Sequence, residues 1–198
     1  MEKPTLEQVN ELHAQITLGR VTRENLQGFL RDPSSTLRRA SSVITLTDTV
    51  TAVCPAEFVA SKRCQTGLTV KICYFYGGFD KWFFDKVERL PEPVETTLRW
   101  RDLLNNTSHE ATIAELGGIT KAETSLAEIW SLLEKQANGQ DGVLLNSGKK
   151  NIFYVRDAQE LARMIEVYWH AEGWCIGACD LEVHQQLKPD SRLFFREA

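Results

Sequence analysis

Between Gly142 and Glu182 the chain reads as short strands rich in aromatic and β-branched residues: Val143–Leu145, Asn151–Arg156, Met164–Trp169 and Trp174–Leu181. The breaks between them are Asn146-Ser147-Gly148, Asp157–Glu160 and Ala171-Glu172-Gly173. Strand-forming runs separated by turn residues at this spacing predict an antiparallel meander. Alternation along it places Phe153, Val155, Ile165, Val167 and Trp169 toward a core. Tyr154 and Tyr168 then point to the opposite face, where they are candidate binding residues.

The rest of the chain alternates helical and extended patterns without the regular strand-helix rhythm of a doubly wound parallel sheet. Ile44–Val53 reads as a half-buried strand, with Val50 and Ala52 on one side and Thr49 and Thr51 on the other. Leu68–Tyr76 is a second strand. Phe79, Trp82, Phe83 and Val87 recur at helical spacing before Pro91 and Pro93. Leu98–Leu103 and Thr112–Leu116 read as weaker strands. Leu126, Ile129, Trp130 and Leu133 form the stripe of a helix, with Thr120/Glu123 and Ser125/Glu128 as alternative capping boxes. The expected class is α+β, with a mainly antiparallel sheet and packed helices.

Residues 1–33 predict a helical hairpin that precedes an α+β domain over 34–198. Thr5 caps a first helix carrying Leu6, Val9, Leu12 and Ile16, and Gly19 stops it. Thr22 caps a second with Leu26, Phe29 and Leu30, and Asp32-Pro33 ends it. Arg20, Arg23, Arg38 and Arg39 concentrate positive charge around the second helix, so a DNA-associated role for this hairpin is one functional expectation. The charge balance opposes a broad nucleic-acid surface. Residues 1–100 hold 13 Lys/Arg against 12 Asp/Glu, while residues 101–198 hold 10 against 15. An acidic second half repels phosphate backbones, so nucleic acid is disfavoured as the partner.

No apolar run reaches the ~18 residues of a membrane span, and the polar start Met1-Glu2-Lys3-Pro4 lacks the apolar stretch of a secretory signal; a cytoplasmic protein is expected. Five cysteines in a chain of 198 residues do not suggest a disulfide framework. His170, Cys175, Cys179 and His184 invite a zinc reading. On a strand, however, Cys175 and Cys179 stand ~13 Å apart, too far to share one ion, so no metal and no cofactor is expected. Cys54, and Cys64 beside Lys62 and Arg63, are candidates for a nucleophile in a small hydrolase or transferase, since neighbouring cations lower a thiol's pKa. Gly117-Gly118-Ile119-Thr120-Lys121 opens a helix but lacks the spacing of a phosphate loop. No set of catalytic groups converges in the sequence.

Four segments carry a resemblance: Ile113–Gly118, Lys121–Thr124, Leu132–Gln136 and Asn151–Asp157, with Gly19-Arg20-Val21-Thr22 in the opening. They are similar to segments of a group of uncharacterised bacterial proteins. The resemblance implies a bacterial cytoplasmic protein and carries no catalytic residue with it. The leading expectation is a non-enzymatic binding or interaction module, with a protein partner or a homodimer formed through a sheet edge.

Overall fold

The structure is a computed structural model; it describes residues 48–65, 69–182 and 186–196. The predicted hairpin and the arginines Arg20, Arg23, Arg38 and Arg39 lie outside these residues, as do residues 44–47 of the first predicted strand and His184.

The chain folds around an eight-stranded, mostly antiparallel sheet. Its strands in chain order are β1 (Asp48–Cys54), β3 (Ile72–Gly77), β5 (Val94–Asp102), β6 (Glu123–Thr124), β7 (Asn151–Arg156), β8 (Ala162–His170), β9 (Gly173–Asp180) and β10 (Arg192–Arg196). Two further strands, β2 (Glu57–Val59) and β4 (Val87–Arg89), pair with each other as a separate ribbon. Five helices are described: α1 (Ala60–Arg63), α2 (Phe79–Phe83), α3 (His109–Glu115), α4 (Ile119–Ala122) and α5 (Leu126–Lys135).

The spatial order of the large sheet is β1-β5-β10-β7-β8-β9-β3. The expected meander is its centre: β7, β8 and β9 are sequential antiparallel neighbours, with Asn151 opposite Val167 and Tyr168 opposite Cys175. Three pairings are parallel. β10 runs beside the start of β7, β6 beside its end, and β3 beside β9.

The β7–β8 connection is built around Asp157. Its carboxylate accepts the backbone N–H groups of Gln159 at 2.8 Å and Leu161 at 2.9 Å. The β8–β9 hairpin closes over Ala171 and Glu172, with Ala171 at φ +50°.

Both sheet faces are covered, by different helices. On the first, Phe153, Val155, Ile165, Val167, Trp174, Ile176 and Phe194 pack under α5 and the β2–β4 ribbon. Every residue of the α5 stripe, Leu126, Ile129, Trp130 and Leu133, is buried there. Ser125 and Glu128 form the capping box. On the second face, Ile152, Tyr154, Met164, Leu193 and Phe195 pack against Ala122, Ile113, Leu116 and Ile119 of the α3–α4 region.

Three local expectations are corrected. Thr112–Leu116 is not a strand: it is the second half of α3 with its C-cap Leu116, because the Ser108 hydroxyl accepts the Ala111 N–H at 3.1 Å and starts a helix there. Val143–Leu145 joins no ladder. Its backbone is bonded by side chains instead: Gln136 takes the N–H of Leu144 through Oε1 and donates to its carbonyl through Nε2, and Asn151 Oδ1 accepts the N–H of Leu145. Val87 leaves the helical pattern for β4, since α2 ends at Phe83.

Candidate functional site

The second face of the sheet is unevenly covered. At β7 and β10 it carries the apolar residues under α3 and α4. Across β8, β9 and β3 it carries polar and aromatic side chains, of which Tyr74, Tyr76 and Tyr168 reach solvent while Glu166 and Cys175 are buried beneath them. Alternation and register put Glu166 and Tyr168 of β8, Cys175 and Gly177 of β9, and Tyr74 and Tyr76 of β3 side by side on that face.

The three tyrosines form a platform. Tyr76 packs against both of the others, with ring centroids 5.7 Å from Tyr74 and 6.1 Å from Tyr168. The Tyr74 and Tyr168 hydroxyls bond each other at 2.7 Å. Tyr76 donates its hydroxyl proton to Glu166 Oε1. Lys150, just before β7, holds the other carboxylate oxygen at 2.5 Å. Gly177 makes this arrangement possible, because a Cβ there would stand 2.2 Å from the Tyr76 ring. Tyr74 is the most open of the three, with 40% of its surface exposed.

The electrostatics are those of a partly dried polar surface. Burial pushes the Tyr76 hydroxyl far above the usual tyrosine range, and the Glu166 charge beside it adds to the effect. Burial and the bond to Tyr74 do the same to Tyr168. Tyr76 and Tyr168 are therefore neutral hydrogen-bonding groups at any ordinary pH.

Next to the platform, His109 opens α3 and is buried, 3% exposed. Its Nδ1 lies 3.3 Å from the Tyr154 hydroxyl, and its Nε2 has no hydrogen-bond partner among the described residues. Burial lowers its pKa, against the opposing pull of the Glu166 charge, so the imidazole is neutral.

The two tyrosines named from alternation are separated by this uneven cover. Both point to the second face, as the pattern requires. Tyr168 stands in the open part, whereas Tyr154 is fully buried beneath α3 and α4. The outward tyrosine surface is thus Tyr168 with Tyr74 and Tyr76. Sequence reasoning placed the latter two only on the strand Leu68–Tyr76, without assigning them a face, and did not single out Glu166, Lys150 or His109. The missed signal is parity: Glu166 and Tyr168 share a face on β8, two positions apart.

The cysteines proposed as nucleophiles are buried. Burial raises the Cys54 thiol, and Glu128 raises it further. Burial pushes Cys64 up to about 12. Both are protonated at neutral pH, and the cations beside Cys64 do not offset its desolvation. Cys175 is buried and Cys179 half-buried on β9, and no group of three or more metal-binding side chains converges among the described residues.

A concavity of about 520 Å³ lies beside β1, lined by Val53, Pro55, Phe58 and Pro93 with Trp130 and Ser131 of α5. Its rim holds the exposed pair Arg63–Glu134 at 3.1 Å. No described helix is long and apolar enough to cross a membrane. Comparison with protein families, curated proteins and solved structures gives no match for this chain.

Proposed function

We propose that this is a non-enzymatic binding protein that recognises another protein through the Tyr74–Tyr76–Tyr168 platform. The observation that carries this reading is the gathering of three tyrosines, from two strands separated by β9, on a part of the sheet that none of the described helices caps. Tyrosine is enriched at protein interfaces because a rigid ring supplies contact area and the hydroxyl supplies a directed hydrogen bond. Here the hydroxyls are already oriented by one another and by Glu166. Little side-chain freedom remains to be lost on binding, which favours affinity.

An ordinary solvated sheet face looks different, and the same molecule supplies the comparison. Across β1 and β5 the second face presents Thr49, Thr51, Glu95 and Thr97, all exposed. The tyrosine end instead exposes aromatic surface together with a lysine–carboxylate pair.

The test is site-specific photocrosslinking in the native cell, with the photoreactive residue at position 74 or 168 and a control at 97. A discrete adduct with a different protein at 74 and 168, absent at 97, supports the reading. Adducts only within the chain or only with a second copy, or none above the control, overturn it.

A further inference from the structure

β3 does not run evenly beside β9. Ile72 pairs with Trp174 and Tyr74 with Cys175, so Cys73 is an extra residue bulged out between the two pairs. A Cβ on Gly173 would lie 3.1 Å from the Cys73 Cβ, so the Cys73 side chain rests over Gly173. Gly173 and Cys175 are two apart on β9 and share a face. The bulge therefore sets Cys73 on the same face as Cys175, on the neighbouring strand. Adjacent strands lie ~4.8 Å apart, inside the ~4.4–6.8 Å Cα separation that a disulfide bridges. Cys73 is exposed and Cys175 is buried.

We infer that Cys73 and Cys175 are a redox-active dithiol, oxidised by a small-molecule disulfide to an intramolecular bond that ties β3 to β9. The accessible Cys73 thiolate attacks one sulfur of the small disulfide. A mixed disulfide forms at Cys73 and one small thiolate leaves. Cys175 then attacks the Cys73 sulfur and releases the second small thiolate, which takes up the Cys175 proton. Two protein thiols are oxidised by two electrons, and one small disulfide is reduced to two thiols.

The surroundings divide the two roles. Burial raises the Cys175 thiol, while the nearby Tyr74 and Tyr168 hydroxyls pull it back, and the Cys73 thiol lies within the same hydrogen-bonded group. Cys175 is thus the shielded resolving thiol, and Cys73 the one a reagent meets. Those tyrosines are the proposed recognition platform, so oxidation would alter that surface; the dithiol itself stands independently of what the platform binds.

The full chain is treated with glutathione disulfide and digested without reduction for mass spectrometry. The expected result is a monomer that has lost two of its five thiols, with the peptides carrying Cys73 and Cys175 joined, and dithiothreitol restoring both. Cys73→Ser abolishes the link, Cys175→Ala traps glutathione on Cys73, and Cys179→Ser behaves as wild type. Glutathione retained on Cys73 in the wild type, a Cys73 bond between chains, or both thiols unmodified would overturn the inference.

Discussion

Replacing Asp157 by Ala tests whether the β7–β8 turn is held by one buried carboxylate. The Asp157 side chain is fully buried. It accepts the guanidinium of Arg163 at 2.9 Å and the two turn N–H groups. Arg163 is itself 8% exposed and stacks 4.3 Å from the Trp82 ring centroid. Breaking a buried pair from one side leaves the other charge without its partner and costs ~3–5 kcal/mol. Arg163 keeps its contact with Asp180, so the lower end of that range applies. With a urea dependence of ~2.5 kcal/mol per molar, ~3 kcal/mol lowers the unfolding midpoint by ~1.2 M, readable by tryptophan fluorescence. Asp180→Asn touches the same arginine, but that carboxylate is 40% exposed, so its loss costs ~0–1 kcal/mol.

The pH dependence has a definite sign. Burial alone would raise the Asp157 pKa, but Arg163 and the two N–H groups outweigh it and the net shift is downward. A depressed carboxyl stabilises the fold above its unfolded value, near 3.9, and that contribution is lost as pH falls through the lower folded value. The gap between wild type and Asp157→Ala is therefore full at pH 7 and narrows below about pH 4. A loss under ~1 kcal/mol at pH 7, or a gap that widens on acidification, would refute the assignment.

The remaining expectations follow from single contacts. Gly177→Ala forces the Tyr76 ring off its seat and costs ~1–3 kcal/mol, with Tyr76 displaced from Glu166 in a crystal structure of the variant. Ser125→Ala removes one half of the α5 capping box and lowers stability by ~1 kcal/mol in urea unfolding, a change that Ser125→Asp largely avoids. Trp174→Phe leaves the Gln136 carbonyl without the indole donor at 2.8 Å and opens a void, costing ~2–4 kcal/mol by the same assay. In the native chain an alkylating reagent labels Cys73 first, while Cys54, Cys64 and the shielded Cys175 are alkylated only on unfolding; mass mapping of the first adduct decides it.

The sheet centre was legible because its signal is local. Alternation alone told which residues of β7 and β8 meet the core, and Phe153, Val155, Ile165 and Val167 are all buried. The α5 helix was legible for the same reason, through its stripe and its cap. Thr112–Leu116 was misread because its helix start, Ser108, lies four residues upstream of the window. Val143–Leu145 has strand composition, but its partners are the side chains of Gln136 and Asn151, and no pattern within the segment reveals them. The candidate site was hidden by topology. Tyr74 meets Tyr168 only because β3 adds to the far edge of β9 in parallel, a pairing between residues 94 apart in sequence. The bulge at Cys73 was equally invisible, since it shifts parity within a strand that otherwise alternates.

The uneven second face then has a physical explanation that joins fold to function. The short α3 and α4 cover Ile152, Tyr154, Met164, Leu193 and Phe195, and the burial of His109 marks the inner edge of that cover. Beyond it, a sheet face left to water needs side chains that satisfy their polar atoms while shielding the backbone. Glu166 would be a costly buried charge on its own, and Lys150 and Tyr76 together occupy both of its oxygens. Threonine or lysine would satisfy the same requirement, as the β1–β5 face shows with Thr49, Thr51 and Thr97. Solvation therefore accounts for polarity at this end but not for aromatic rings there. Three tyrosines over a glycine, with a surface thiol in the adjoining bulge, go beyond what solvation requires. If the platform were only a lid on the sheet, Tyr74→Thr would leave photocrosslinking at position 168 unchanged. A recognition role predicts that this change abolishes the adduct while shifting the urea midpoint little, since 40% of Tyr74 already faces water.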